Sequence, residues 1–217
     1  MSIENYKIAP SILAADFNIL GRQIEELEKN GIELLHIDVM DGLFVPSISF
    51  GMPLIASIRQ ESRLFFDVHL MIEKPERYVE DFVISGADSI TVHYEACDDL
   101  LKIINRVHSL GVECGIAINP ETPVESVYPY LSEVDMILTM SVRPGFGGQR
   151  FKEEVLEKVE ALADIRKEKG LDFQIEIDGG VNKRNLRRIA EKGVDILVAG
   201  TAVFDGKISK NLKEMRR

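Results

Sequence analysis

Short runs of apolar and β-branched residues recur along the chain, each followed by a turn and then by a segment whose apolar positions fall three and four apart. The strand-like runs are Lys7–Leu13, Leu34–Met40, Phe65–Met71, Ser89–His93, Glu113–Ile118, Met136–Met140, Gln174–Ile177 and Ile196–Ala199. The clearest helical segments between them are Ile19–Lys29, Pro75–Ser85, Asp98–Leu110, Lys152–Lys169 and Lys183–Lys192. The helical pattern is weaker after the second, fifth and eighth runs. Gly31, Gly86, Gly111, Gly170 and Gly193 stand where helix C-caps are expected.

Eight strand-turn-helix units in 217 residues leave about 27 residues per unit, near the lower end for a closed α/β barrel. The pattern predicts a single (βα)8 TIM barrel over residues 1–217, with its active site at the C-terminal ends of the strands. A doubly wound open sheet fits less well, because no Gly-x-Gly-x-x-Gly turn follows the first run.

Polar residues interrupt the second and third runs on one face only. A period of two sends His36, Asp38 and Met40 to one side of the second run and Leu35, Ile37 and Val39 to the other. The apolar three suit the layer beneath the helices, so the polar ones must face the barrel interior. A lone ionised carboxylate there costs several kcal/mol unless it is paired or metal-bound. The third run repeats the arrangement with Asp67, His69 and Met71, and the seventh ends in Glu176, Ile177 and Asp178. His36, Asp38, His69 and Asp178 thus offer two nitrogens and two oxygens, a set suited to one divalent transition metal such as Zn, Fe, Mn or Co. A hydrogen-bonded His and Asp network without metal is the alternative. Asp67 and Glu176 lie one pleat deeper, where they can orient the ligands. His93 reaches the pocket mouth or serves only packing, and His108 reads as surface. Met40, Met71 and Met140 end three strands and place apolar side chains over the site, or simply fill the core.

Net charge and glycine placement sharpen the picture. The chain carries 26 Lys and Arg against 36 Asp and Glu, a formal charge of −10, which argues against nucleic acid or an anionic membrane surface as partner. An anionic substrate must therefore be held locally. Gly145, Gly147 and Gly148 follow the sixth run, Gly179 and Gly180 the seventh, and Gly200 with Thr201 the eighth. Backbone N–H groups in such loops, with a helix N-terminus, bind a phosphate without a basic surface. The glycine-rich loop is also long enough to move as a lid. Arg143 either assists the anion or faces solvent. Cys97 and Cys114 have no metal-type spacing, and the first seven residues do not read as a secretory signal, so a reducing, cytoplasmic setting is expected.

Six runs, taken in order, resemble a known family. They are Ala9 to Phe17, His36 to Gly42, Asp67 to Met71, Pro144 to Gln149, Asp178 to Val181 and Val198 to Ala202, and they are similar to the ribulose-phosphate 3-epimerase family over nearly the whole chain. The resemblance implies a (βα)8 isomerase interconverting D-ribulose 5-phosphate and D-xylulose 5-phosphate, with a divalent metal at His36, Asp38, His69 and Asp178. It implies that Asp38 and Asp178 are the acid and base. Ser11, His36, His69, Gly145, Phe146, Gly147, Gly148, Asp178, Gly179, Gly180, Gly200 and Thr201 match its substrate contacts. Leu43 departs from the family's usual His, and Ser47 from its common Asn.

On this reading one acid takes a proton from C3 of the sugar and the other returns one to the opposite face, while the metal stabilises the ene-diolate. The expected partner is a small phosphorylated ketose, and the enzyme is expected to be a homo-oligomer. A 3-epimerase for a ketohexose 6-phosphate such as D-allulose 6-phosphate, or a non-catalytic sugar-phosphate binder, are the competing readings. The related barrel decarboxylases need a Lys in an Asp-x-Lys-x-x-Asp run, which this sequence lacks.

Overall fold

A computed structural model describes residues 6–216. Eight strands, β1 (Lys7–Pro10), β2 (Leu34–Met40), β3 (Phe65–Met71), β4 (Ser89–His93), β5 (Glu113–Ile118), β6 (Met136–Met140), β7 (Gln174–Asp178) and β8 (Ile196–Ala199), form one parallel sheet. From β2 to β8 each strand pairs with the next in sequence, and β1 pairs with β8. Among the described residues β1 and β2 meet through a single bridge, Ser11 to His36, which completes the ring. The helices are α1 (Leu20–Lys29), α2 (Met52–Arg59), α3 (Val79–Ile84), α4 (Leu100–Ser109), α5 (Leu156–Lys169), α6 (Leu186–Ala190), α7 (Thr201–Phe204) and α8 (Ile208–Met215).

The pleat divides the strands as their sequence demands. Leu35, Ile37 and Val39 of β2, with Phe66, Val68 and Leu70 of β3, join one large apolar layer against the helices. Inside the ring Ala9, Leu34, Met136, Ile196 and Val198 form a second, smaller apolar cluster, and Val198 also borders the cavity described below.

The segments that differ from the sequence pattern do so for local reasons. The first strand stops at Pro10 instead of Leu13, because the Ser11 side chain accepts the Leu13 N–H and Ile12–Ala14 turns into a 3-10 segment. The expected helix at Pro75–Ser85 splits into a 3-10 turn, Pro75–Arg77, and α3, after Lys74 enters the left-handed region at φ 52°. Lys152–Lys169 likewise opens with a 3-10 turn, Glu153–Val155, before α5. Lys183–Lys192 shortens to α6, and Asp98–Leu110 to α4, whose start Asp99 caps by accepting the Lys102 N–H. After β5 only a 3-10 segment, Val124–Tyr130, forms, with Pro129 inside it removing a donor. Gly31, Gly86, Gly111, Gly170 and Gly193 all adopt positive φ, as helix-ending glycines do.

A motif repeats at the lower end of alternate units. Asp88, Asp135 and Asp195 each precede a strand and accept the N–H of the preceding strand, from Phe66, Cys114 and Ile175 respectively. The same carboxylate oxygen also contacts a basic group on the helix that leads into that preceding strand, Arg59 at 2.9 Å, His108 at 2.8 Å and Arg166. Each clamp fixes where its strand begins, and so sets the height at which the strand's last residue emerges. Cys97 and Cys114 are free, and among the described residues no helix is long and apolar enough to cross a membrane.

Candidate active site

Strand register builds the polar cluster directly. His36 of β2 lies beside Asp67 of β3, and Asp38 beside His69. The side chains meet along the same pairs: His36 Nδ1 lies 2.6 Å from Asp67 Oδ2, and His69 Nδ1 lies 3.2 Å from Asp38 Oδ1. Asp67 therefore orients His36 as its lower position implied, and turns Nε2 toward Asp38 Oδ1 at 3.3 Å. Ser11, at the seam of the ring, donates to Asp38 Oδ2 at 2.5 Å. Asp178 ends β7, and its carboxyl joins the group, such that ligand atoms of His36, Asp38, His69 and Asp178 all lie within 4.8 Å of one another. Glu176 sits deeper, in a second group with His36 and Asp67.

The electrostatics of this group separate its acids. Burial alone would raise Asp38, but His36 and His69 outweigh it and hold the carboxyl well below the usual range. Partial burial, followed by the Asp38 charge, pushes Asp178 up to about 7. Burial and the Asp67 charge keep Glu176 well above the carboxylate range. For His36 burial is opposed by Asp38 and Asp67, and the net direction is upward. His69, whose burial prevails, falls to about 4.

Above the cluster opens a cavity of about 380 Å³. Asp38 and Asp178 reach it, together with Ser11, Met40, Met71 and Met140. The loops after β6, β7 and β8 form its other wall, through Gly145, Phe146, Gly147, Gly148, Gly179, Gly180, Gly200 and Thr201. His36 and His69 do not line it. Both lie beneath its floor, fully buried, and face the cavity only through the carboxylates. Gly180 has no room for a side chain: at φ 63° a Cβ would stand 2.5 Å from the Phe151 backbone nitrogen. Two asparagines, Asn182 and Asn185, donate to the Gly180 carbonyl and fix this turn. Gln149 closes the β6 loop on itself by donating to the carbonyls of Arg143 and Phe146.

Several residues noted in the sequence fall elsewhere. Arg143 pairs with Glu121 at 3.1 Å and is 77% exposed. Leu43 is largely exposed, and His108 serves the Asp135 clamp. His93 is buried and bonds His69, Nε2 to Nε2, at 2.9 Å. Glu95, which holds the other face of His93, carried no sequence signal beyond standing two residues after a strand-end histidine.

Comparison with known proteins is consistent along the chain. The model of the ribulose-phosphate 3 epimerase family matches residues 7–204. The ribulose-phosphate 3-epimerase of Bacillus subtilis is 46% identical over 199 residues, covering 91% of this chain and 92% of its own. The enzyme of that name from Synechocystis is 46% identical over 204 residues, covering 93% and 89%. Among solved structures, a mutant tryptophan synthase α-subunit from Pyrococcus furiosus superposes with a TM-score of 0.74 at 11% identity, covering 98% of this chain and 97% of its own, a likeness of fold alone. Close to half of the residues are shared with these full-length relatives, and the family's match spans the barrel from its first strand to α7: the chain belongs to the ribulose-phosphate 3-epimerase family of isomerases.

Proposed function

We propose that the chain epimerises D-ribulose 5-phosphate and D-xylulose 5-phosphate at C3, by proton transfer between the sugar and two carboxyl groups, Asp38 and Asp178. One observation carries this reading: two aspartates border the same cavity, and their surroundings drive them apart, Asp38 well below the usual range and Asp178 up to about 7. Near neutral pH one is thus a base while the other holds a proton, which is the division of labour an epimerisation needs.

The donor set also fits a divalent metal. His36 Nε2 is buried without a hydrogen-bond partner, and it points into a group of two nitrogens and two carboxylates. His36, Asp38, His69 and Asp178 would hold the ion, with Asp67 fixing the His36 ring from behind. When bound, such an ion supplies Lewis-acid stabilisation of the negative charge that develops on the sugar oxygens. Zn, Fe, Mn and Co all suit this donor set.

The remaining residues bind, orient and exclude water. Ser11 holds the Asp38 carboxylate through Oδ2, leaving its other oxygen toward the histidines. Met40, Met71 and Met140 are almost fully buried and place apolar surface around the reacting carbon, which keeps the local dielectric low without adding charge. Glycine loops after β6, β7 and β8 bring backbone close to an incoming phosphate, which suits an acidic protein with no free cationic side chain lining the cavity among the described residues.

The test replaces each acid separately. Asp38→Asn and Asp178→Asn should each lower kcat by roughly 10²–10⁴-fold, the usual worth of a general acid or base. Circular dichroism and binding of inorganic phosphate should be unchanged. Near-normal turnover by either variant would contradict the scheme. Parallel assays with a ketohexose 6-phosphate fix the chain length of the sugar, with the pentulose phosphate expected to have the higher kcat/KM.

A further inference from the structure

Behind His69 runs a chain of hydrogen bonds that the proposed chemistry does not use. His69 Nε2 meets His93 Nε2 at 2.9 Å, and His93 Nδ1 meets Glu95 Oε2 at 3.1 Å. Both rings are fully buried, while the Glu95 side chain is 23% exposed. The other Glu95 oxygen, Oε1, accepts the Asn119 N–H at 2.8 Å and the Thr122 hydroxyl. Lys158 fixes the loop that supplies these donors, since its Nζ donates to the carbonyls of Asn119, Pro120 and Thr122. Burial raises the Glu95 carboxyl, but its bonds from His93, Thr122 and Asn119 outweigh this and bring it down to about 2.

An ionised carboxylate only accepts, so His93 must present its proton on Nδ1. The His93 Nε2 lone pair then faces His69, and the His69 proton must lie on Nε2. What remains on His69 is a lone pair on Nδ1, aimed at Asp38 Oδ1, also an acceptor, 3.2 Å away. Two acceptors so placed repel unless a cation lies between or beside them.

We propose that Glu95 and His93 are positioning residues which, through two successive hydrogen bonds, select the His69 tautomer whose Nδ1 lone pair is free for a divalent cation. The inference rests on the metal reading above for its purpose, but not for its geometry. The isosteric change Glu95→Gln provides the sharpest test. The Asn119 N–H and Thr122 hydroxyl keep the amide oxygen on their side, which turns the new NH₂ group toward His93 Nδ1. A donor there reverses both tautomers and puts the His69 proton on Nδ1, in the way of the ion.

Two measurements decide the matter. Histidine ¹⁵N–¹H correlation spectra of the metal-free protein should show His93 protonated on Nδ1 and His69 on Nε2, both reversed in Glu95→Gln. Unreversed tautomers in that variant would overturn the proposal. Titration with Co²⁺ alone, followed by its visible absorption, should show the variant binding roughly 10–100-fold more weakly than the parent chain, as loss of an outer hydrogen-bond partner commonly does. In a His93→Phe background, where the relay is already cut, Glu95→Gln should change affinity less than twofold. An equal loss in both backgrounds would mean that Glu95 acts only by bracing its loop, and would also overturn the proposal. If the parent chain takes up no Co²⁺, the metal reading fails, while the tautomer spectra still judge the relay.

Discussion

Asp38 and Asp178 are the same residue type within one cluster, and only their neighbours make them different. Two histidines face Asp38, whereas Asp178 faces the Asp38 charge and partial burial. A pH dependence follows for the metal-free protein. Asp178 stands at about 7 in the folded chain against 3.8 without the fold, so between these values the folded state holds more proton than the unfolded one. Its contribution to stability is complete below about pH 4 and is lost as pH rises to about 7. Asp178→Asn removes this titration. Chemical denaturation should therefore find the stability of the parent chain, relative to Asp178→Asn, falling across pH 4–7 and level above it. A difference that grows with pH would show that Asp178 is held ionised.

At the level of elements, strand parity was the legible part of the chain. The alternation in β2 and β3 by itself places His36, Asp38 and His69 inside the ring, and the register sets Asp38 beside His69. Termini of elements were less legible, because they are decided by single capping contacts such as Ser11 to Leu13 and Asp99 to Lys102. The clamp aspartates Asp88, Asp135 and Asp195 were invisible as a set, since each is an ordinary loop acid until the fold brings it beneath the preceding strand. Glu95 escaped for the same reason. The glycines of the cavity wall also differ from one another in a way the sequence does not show. Gly147 has an ordinary φ and open space, whereas Gly180 is left-handed and walled by backbone. Gly180→Ala should lose roughly 1–3 kcal/mol from the strained conformation, with a further cost from the Phe151 contact. It should also raise KM for the sugar phosphate. Gly147→Ala should stay within about 1 kcal/mol of the parent. Thermal denaturation and steady-state kinetics compare the two, and equal effects would contradict a built turn at Gly180.

Over the whole molecule, the ring is continuous except where β1 meets β2 by one bridge. Ser11 occupies that bridge and also holds Asp38, so closure of the barrel and placement of a proposed catalytic acid share one residue. The seam should open before the rest of the sheet. Native-state hydrogen exchange should find the amides of β1 less protected than those of β4, which has a full ladder on both sides. Equal protection would place the weakest join elsewhere. The eightfold alternation made the closed ring legible in the sequence, but not its seam, because no pattern within a strand reports how far its neighbour's ladder extends.

The central claim is that C3 loses a proton to one carboxyl and receives one from another. Conversion of protiated D-ribulose 5-phosphate in D₂O, sampled early in the reaction by NMR, tests it most directly. The two-acid account predicts D-xylulose 5-phosphate carrying deuterium at C3 while the remaining substrate keeps its hydrogen. Product that retains the substrate's own C3 hydrogen would contradict it, since a single group would then have carried the proton from one face to the other.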